Sequence, residues 1–123
     1  MAKILFIDDD PVLQKLYETR LEKDGHEVIS SSNGEEALKT LQTFKANLII
    51  LDLMMPKVNG FKFLEKTRAD KNTKNIPVVV FSSLIRPEQV EYLKKFGVVN
   101  TINKIDVTPT QLVEVINNLT KKK

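Results

Sequence analysis

The chain has 123 residues, of which 41% are hydrophobic and 28% charged, so its size and composition suit one globular domain over residues 1–123. It has no cysteine and one histidine, which excludes disulfides, thiol catalysis and zinc sites built from cysteine or several histidines. No apolar stretch approaches the roughly 18 residues of a membrane span, and no signal-peptide pattern is present. The net charge of +3 matches the three lysines at residues 121–123, so we expect a cytoplasmic protein that binds neither nucleic acid nor membrane.

Five short apolar runs lie at residues 3–7, 27–30, 47–51, 77–81 and 98–102. Each has the length of a β-strand and is rich in Ile, Val, Leu or Phe. Residues 4–7, 48–51 and 78–81 are continuously apolar, as expected for parallel strands that are covered by helices on both faces.

Each run is followed by a segment with the periodicity of an amphipathic helix. The apolar stripes are Leu13, Leu16, Tyr17 and Leu21; Ala37, Leu38 and Leu41; Phe63, Leu64 and Thr67; Val90 and Leu93; and Leu112, Ile116 and Leu119. The alternation of strands and helices predicts a doubly wound α/β fold, in which right-handed crossovers place helices on both faces of a parallel sheet.

Capping residues mark the ends of several of these helices. Asp10 before Pro11 indicates an N-cap followed by the first helical residue, and Gly25 stands where the first helix should stop. Capping-box spacing is found in two pairs, Asn33 with Glu36 and Thr108 with Gln111. His26 lies between Gly25 and an apolar run, so we expect it on the surface.

The residues that follow the strands are the candidates for a site, because ligands of open α/β sheets bind beyond the carboxyl ends of the strands. Four strands are followed by reactive side chains: Asp8, Asp9 and Asp10 after the first, Asp52 after the third, Ser82 and Ser83 after the fourth, and Lys104 after the fifth. The second strand is followed by Ser31, Ser32 and Asn33 and contributes no charge. We expect the charged groups to converge at the centre and one side of the sheet.

The acidic residues among these candidates predict a metal site. Acids at a helix start can simply complement the helix dipole, and that role suffices for Asp10. Three acids in a row with Asp52 beside them would repel one another strongly unless a hard divalent cation lies among them. Mg²⁺ prefers oxygen ligands and often shares its coordination with phosphate, so we expect Mg²⁺ here.

Lys104 and Ser82 extend this site towards phosphate chemistry. A single lysine is usually a surface residue, but Lys104 directly follows an apolar strand. Its ammonium suits the charge that develops on a transferring phosphoryl group, Ser82 offers a hydroxyl at the same level, and Ser83 is small enough to leave room. Together with a carboxylate and a metal, these groups indicate phosphoryl transfer to aspartate.

Over essentially its whole length the sequence resembles the receiver domains of bacterial two-component response regulators, and among them the single-domain chemotaxis regulators. The likeness is carried, in order along the chain, by residues 4–11 (ILFIDDDP), 33–38 (NGEEAL), 51–56 (LDLMMP) with Gly60, 77–83 (PVVVFSS) and Lys104. The resemblance implies a flavodoxin-like sheet of five parallel strands in the order 2-1-3-4-5.

The resemblance also implies a role for each candidate residue. Asp52 would be the phosphoacceptor, Ser82 the switch hydroxyl that moves towards the phosphoryl group, and Lys104 a contact of phosphoryl oxygen. The Mg²⁺ ligands would be Asp8 (mostly through water), Asp9, Asp52 and the backbone carbonyl of Met54. The implied function is a switch that is not an enzyme for other substrates. It would take its phosphoryl group from a histidine kinase, a phosphotransfer protein or a small phosphodonor and then alter its binding to a downstream protein.

Two positions depart from the family pattern. Thr101 stands where the fifth strand usually has Tyr or Phe, an aromatic residue that swings as the switch hydroxyl moves, so an aromatic relay is in question here. Ile105 replaces the proline that usually follows the lysine, often with a cis bond. A cis bond before a residue other than proline costs roughly 2.5–4 kcal/mol, so we expect a trans bond.

Other classes of protein fit the sequence less well. A P-loop NTPase needs the motif GxxxxGK[ST], which is absent. A flavodoxin-type carrier needs a Ser/Thr-rich phosphate loop after the first strand, where this chain has three acids. A haloacid-dehalogenase-type phosphatase has its nucleophile after the first strand in a DxD pattern, whereas Asp52 follows the third. The main alternative is a degenerate receiver that binds partners without phosphorylation.

The output of such a switch is left open by the sequence. No DNA-binding or catalytic segment follows the last predicted helix, so the chain fits both a stand-alone regulator and a receiver cut from a longer protein. The family's usual output face, formed by the fourth helix, fifth strand and fifth helix, would include Arg86, Glu91, Lys94, Lys95 and Glu114, although ordinary solvated charges would look the same. A phosphorylation-linked dimer is also compatible with the resemblance.

Met54 and Leu84 occupy the two positions that, in this family, flank the approach of the water that hydrolyses an aspartyl phosphate. Neither side chain can accept a hydrogen bond from water with any strength, and both add apolar bulk. We therefore expect slow loss of the phosphoryl group, unless both are only loop residues that rest on the surface.

Overall fold

The five apolar runs form the strands of one parallel sheet in a computed structural model that describes residues 2–55, 58–83 and 85–121. The strands are β1 (Lys3–Ile7), β2 (Glu27–Ser31), β3 (Leu48–Leu51), β4 (Val78–Ser82) and β5 (Val98–Asn103). Their order across the sheet is β2-β1-β3-β4-β5, and all neighbouring pairs are parallel. The predicted fold class and strand order are confirmed, and no predicted strand end is wrong by more than one residue.

In the part of the chain that the structure describes, five α-helices alternate with the strands, as the periodicity predicted. They are α1 (Pro11–Lys23), α2 (Gly34–Thr40), α3 (Gly60–Ala69), α4 (Pro87–Lys95) and α5 (Pro109–Thr120), with a 3₁₀ turn at Lys104–Asp106 after β5. Within residues 2–55, 58–83 and 85–121, no helix combines the length and hydrophobicity needed to span a membrane.

The predicted helix caps are largely formed. Asp10 accepts hydrogen bonds from the first backbone N–H groups of α1, and Thr108 and Gln111 form a reciprocal capping box at α5. Asn33 accepts from the backbone N–H of Glu36, but the Glu36 carboxylate bonds the backbone N–H of Ser32 instead of Asn33. Only one of the two hydrogen bonds of the predicted capping box is therefore formed at α2.

Alternate side chains of the strands pack into two cores, one on each face of the sheet. Leu5 and Ile7 of β1 belong to the core under α2, α3 and α4, where Phe63 and Leu93 are fully buried. Ile4 and Phe6 belong to the opposite core, under α1 and α5. The central strands β3 and β4 are thus covered on both faces, and the polar side chains Asp52 and Ser82 lie at their carboxyl ends.

The prediction for His26 is wrong, because this side chain is buried. Its Nδ1 accepts the backbone N–H of Ala2 at 3.1 Å, so Nε2 carries the proton and donates to Oδ1 of Asn117 at 2.7 Å. The ring links the amino end of β1 to α5. Both partners are far away along the chain, and local sequence pattern carries no signal for such contacts.

Candidate functional site

The carboxyl edge of the sheet brings together side chains from four strands. Asp8 follows β1, Asp52 follows β3, Ser82 ends β4, and Lys104 follows β5. Because neighbouring parallel strands end at the same edge, residues up to 96 positions apart along the chain meet there. The convergence predicted from the strand ends is found in the structure.

Asp52 is 4% exposed, and its two carboxylate oxygens have different neighbours. Oδ1 accepts hydrogen bonds from the Ser82 hydroxyl at 2.7 Å and from the backbone N–H of Met54 at 3.1 Å. Oδ2 lies 3.5 Å from the Lys104 Nζ. The carboxylate therefore lies between neutral donors on one side and a cation on the other.

Asp8 is 1% exposed and lies closer to the same ammonium group. Its Oδ1 accepts the backbone N–H of Asp10 at 3.0 Å, and its Oδ2 lies 2.7 Å from the Lys104 Nζ. Burial raises the pKa of Asp8 above its usual value, and the contact with Lys104 and the N–H of Asp10 offset only part of this effect. An ionised Asp8 is thus costly without further positive charge.

Lys104 is the cation of this site. Burial alone would lower its pKa, but contacts with Asp8 and with Asp52 outweigh burial, so the pKa of Lys104 is raised. Its Nζ also lies 5.7 Å from the ring centroid of Phe81, within the range of a cation–π contact. The ammonium stays charged, and the unbalanced charge of the site is that of the carboxylates.

Asp8, Asp9 and Asp52 each offer a carboxylate oxygen, and the three atoms lie within 4.8 Å of one another. Opposite ligands of one Mg²⁺, each about 2.1 Å from the ion, would be about 4.2 Å apart, so a small shift would let all three bind one ion. With Lys104 nearby, three carboxylates leave two negative charges, which one divalent cation would neutralise. Asp9 is exposed while the other two are buried, so one ligand is open to solvent. The residues fit a hard divalent cation.

Glycines at two positions let the loop between β3 and α3 lie close to its neighbours. A Cβ on Gly60 would meet the Leu53 Cα at 2.7 Å, and one on Gly34 would meet the backbone oxygen of Val58 at 2.3 Å. The Gly34 N–H also donates to this oxygen at 3.1 Å. Side chains at either glycine would displace the loop that follows Asp52.

The sequence pattern did not reveal two residues that hold the backbone of the site. Gln14 of α1 donates through Nε2 to the backbone oxygen of Asp8 at 2.6 Å and to that of Ser31 at 3.2 Å, which fixes the acidic turn. Asn103 accepts the backbone N–H of Ile85 at 2.8 Å, which fixes the loop after β4. A polar residue on a helix or at a strand end is too common to be a signal.

The remaining predicted residues fall into three groups. Asp10 caps α1, as expected, and Ser83 is exposed beside the site. Thr101 is half-buried in β5, and the bond before the 84% exposed Ile105 is trans, since the described residues contain no cis bond. The charged residues expected on the output face are all exposed, namely Arg86, Glu91, Lys94, Lys95 and Glu114.

The hypothesis of slow phosphoryl loss stays a prediction. The Met54 side chain is 71% exposed beside the site. Leu84 lies outside the described residues, as do Pro56 of the motif after β3 and the last two lysines of the tail.

Comparison with known proteins agrees with this geometry. Residues 4–117 match the family model of the response regulator receiver domain. The probable transcriptional regulator ycf27 of Porphyridium aerugineum is 39% identical over 82 residues, which are 67% of this chain and 33% of the relative. The chain thus spans about a third of the length of the curated relatives it matches.

Solved structures of response regulators superpose over nearly the whole chain. The chemotaxis response regulator CheY4 of Vibrio cholerae has a TM-score of 0.87 and 28% identity, covering 97% of this chain and 98% of that one. The Mn²⁺-bound form of the response regulator Rcp1 has a TM-score of 0.85 and 25% identity, covering 99% and 98%. The chain therefore belongs to the receiver domain family of two-component response regulators, phosphorylation-activated switches that interact with histidine kinases and downstream effectors.

Proposed function

We propose that this chain accepts a phosphoryl group on Asp52, with Mg²⁺ bound beside it, and that phosphorylation changes its binding to a downstream protein. One observation carries the choice of Asp52. Among the described carboxylates, it is the one whose oxygens meet both the Ser82 hydroxyl and the Lys104 ammonium. These are the donors that a phosphoryl group needs on its oxygens.

The transfer would proceed by direct displacement at phosphorus. An Asp52 carboxylate oxygen attacks, an O–P bond forms, and the P–N bond of a phosphohistidine or the P–O bond of an acyl phosphate breaks. The electron pair of the broken bond leaves with the imidazole or the acid. Lys104 would hold a phosphoryl oxygen, and the Ser82 hydroxyl would donate to the phosphoryl group in place of Asp52 Oδ1.

The proposed Mg²⁺ ligands are Asp8, Asp9, Asp52 and the backbone carbonyl of Met54. The bound ion would neutralise charge on the transferring phosphoryl group. The proposal is supported by the mutual distances of the three carboxylates and by their two excess negative charges. The response regulator Rcp1, to which this chain is similar, has been solved with Mn²⁺ bound. Mn²⁺ prefers oxygen ligands, as Mg²⁺ does, so this finding is consistent with the proposal.

Low exposure of Asp52 and Ser82 limits the water around the reacting atoms, which strengthens each electrostatic contact made there. The loop after β3 and the acidic turn after β1 are both held by hydrogen bonds from other elements. The backbone of the site is therefore held in place, and nothing in the described site favours a phosphorylation-independent binding module.

The partners proposed for the chain are a sensor histidine kinase or phosphotransfer protein as donor and a downstream protein as target. Small phosphodonors would serve as well. The exposed charges of α4 and α5 are the proposed contact with the target or with a second phosphorylated copy. We place this switch in the cytoplasm, without direct contact to nucleic acid or membrane.

The test is the intact mass of the chain after incubation with acetyl phosphate and Mg²⁺. We expect one added phosphoryl group per chain, dependent on Mg²⁺ and absent from Asp52→Asn. Asp10→Asn is the matched control, because Asn also caps a helix and Asp10 does not contact the site carboxylates of β1 and β3 through its side chain. Equal phosphorylation of wild type and Asp52→Asn would refute the proposal.

A further inference from the structure

Helix α4 buries few apolar side chains, although its partly exposed Tyr92 ring also packs 5.8 Å from the Phe61 ring of α3. Leu93 is its one buried side chain, whereas α5 buries Leu112, Val113 and Ile116. Segments with few buried apolar contacts open at low free energy, so the polar contacts at the ends of α4 have a large influence on its position.

The contact at the amino end of α4 is made by Asn103. Its Oδ1 accepts the backbone N–H of Ile85 at 2.8 Å, two residues before α4 begins at Pro87. Asn103 is the last residue of β5 and is half-buried, and it lies in register with Ser82 of β4. The bond therefore ties the loop after β4 to the end of β5.

This hydrogen bond closes a ring of contacts that begins and ends at Asp52. In one direction Asp52 contacts the Ser82 hydroxyl at 2.7 Å, and the chain runs from Ser82 to Ile85. In the other, Asp52 lies 3.5 Å from the Nζ of Lys104, the residue that follows Asn103. The two groups that contact Asp52 are thus joined to each other through the bond from Ile85 to Asn103.

A phosphoryl group on Asp52 would place its free oxygens beyond the present carboxylate oxygens. Ser82 and Lys104 would have to move to reach these oxygens, one on each side of the ring. A hydrogen bond holds over a narrow range of donor–acceptor distances, about 2.7–3.2 Å for N–H···O. The contact between Ile85 and Asn103 is the part of the ring that is neither covalent nor directed at the phosphoryl group, so it is the part that would break most easily.

We propose that Asn103 is a positioning residue that fixes the amino end of α4 to β5 in the unphosphorylated protein, and that phosphorylation of Asp52 releases its bond with Ile85. This inference rests on the proposed function, since it requires a phosphoryl group on Asp52. It connects the site to α4 through a side-chain amide and needs no aromatic residue at Thr101.

The test is the exchange rate of the Ile85 amide hydrogen, followed by NMR in ¹⁵N-labelled protein with Mg²⁺, with and without excess acetyl phosphate. Aliquots of the same samples are weighed by intact mass. Phosphorylation should speed Ile85 exchange in wild type by about tenfold, the factor set by losing one hydrogen bond. The amides of the first turn of α4 should follow.

Three variants show whether Asn103 is responsible. Asn103→Leu removes the acceptor and should give fast Ile85 exchange before phosphorylation, with little further change after it. Asn103→Asp keeps an acceptor oxygen and should behave as wild type before phosphorylation. Asn100→Leu is the matched control, since Asn100 is exposed on the same strand and makes no described side-chain hydrogen bond.

The outcomes separate the two proposals. Added phosphoryl mass with unchanged Ile85 exchange in wild type would overturn the role of Asn103 and leave phosphorylation of Asp52 intact. No added mass would contradict the proposed function and this inference with it. Equally slow Ile85 exchange in unphosphorylated Asn103→Leu and Asn103→Asp would also overturn the inference. If Asn103→Leu does not fold, the wild-type comparison alone decides.

Discussion

The site around Asp52 and helix α4 are held in opposite ways. Asp8, Asp52 and Ser82 are at most 4% exposed, and hydrogen bonds or ion pairs from other strands fix each of them. Helix α4 buries one side chain and is otherwise attached by contacts at or near the surface. The proposed phosphorylation site is thus fixed by its neighbours, whereas only a few contacts would have to break for α4 to move.

The remaining attachments of α4 support this contrast. The Arg68 Nε donates to the backbone oxygen of Phe96 at 2.6 Å, just after the helix ends, and the Tyr92 hydroxyl lies 3.2 Å from the Glu65 Oε2. The contact of Tyr92 with Glu65 is solvent-exposed and adds little stability. Within the helix, the Tyr92 ring lies 5.8 Å from the Phe61 ring of α3 and 5.1 Å from the Phe96 ring. Of the polar contacts at the two ends of α4, the one at the amino end is nearer to the site.

The largest effect is expected from Lys104→Met, which tests the site around Asp52. The phosphorylation rate should fall by about 10²–10³, the usual loss when one preorganised donor to a transition state is removed. Mg²⁺ should at the same time bind more tightly, because the ammonium 2.7 Å from Asp8 no longer competes for that carboxylate. Stopped-time mass measurements and calorimetric titration give the two readouts. Lys95→Met, at an exposed position on α4, is the control, and weaker Mg²⁺ binding in Lys104→Met would contradict the account.

A pair of leucine deletions compares the two regions directly. Leu93 of α4 and Leu112 of α5 are both 0% exposed. Leu112→Ala should lower the free energy of unfolding by about 2–5 kcal/mol, as measured by urea denaturation. Leu93→Ala should lower the free energy of unfolding by less than Leu112→Ala does. It should instead speed amide hydrogen exchange within α4, because this helix can open while the rest of the domain stays folded. If both variants lost the same free energy of unfolding and amide exchange in α4 did not change, the two regions would not differ in how firmly they are held.

Mg²⁺ binding at the site around Asp52 should stabilise the folded domain. At a concentration one hundred times its Kd, the ion should add about 2.7 kcal/mol to the free energy of unfolding and raise the Tm. Asp9→Ala should reduce this shift and stabilise the metal-free form, since one of three mutually repelling carboxylates is removed. Thermal scans with and without Mg²⁺ measure both effects. An undiminished Mg²⁺ shift in Asp9→Ala would place the ion elsewhere.

A smaller effect follows from the raised pKa of Asp8 in metal-free protein. A carboxyl group with a raised pKa in the folded state stabilises the fold fully below its unfolded value, here 3.8, and loses this contribution as pH rises through the higher folded value. Asp8→Asn, which does not ionise, should therefore gain stability relative to wild type as the pH rises above the unfolded pKa of 3.8. The measurement is a series of thermal scans of both proteins across this pH range, with a chelator present. If the Tm of wild type and of Asp8→Asn changed with pH in the same way, the raised pKa of Asp8 would be refuted.

Much of the fold could be predicted from the sequence because its signals are local. Continuous apolar runs such as Leu48–Leu51 indicate buried parallel strands, and caps such as Thr108 mark helix starts. The convergence of the four candidate site residues could be predicted because parallel strands end at one edge of the sheet. What could not be predicted depends on contacts between distant residues, such as the burial of His26 against Asn117 and the tie from Ile85 to Asn103.

Finer details of the site were also beyond the sequence. The resemblance implied Lys104 as a partner of the phosphoryl group, but not that its Nζ lies closer to Asp8 than to Asp52. Such preferences are set by side-chain packing over a few tenths of an ångström, which residue spacing does not encode.

We propose that Asp52, and no other acid of the site, carries the phosphoryl group. The direct measurement is to phosphorylate the chain with acetyl phosphate and Mg²⁺, reduce the acyl phosphate with borohydride, and locate the product by peptide mass spectrometry. Reduction turns a phosphorylated aspartate into homoserine, so we expect homoserine at position 52 alone. Homoserine at Asp8, Asp9 or Asp10, with Asp52 unmodified, would contradict it.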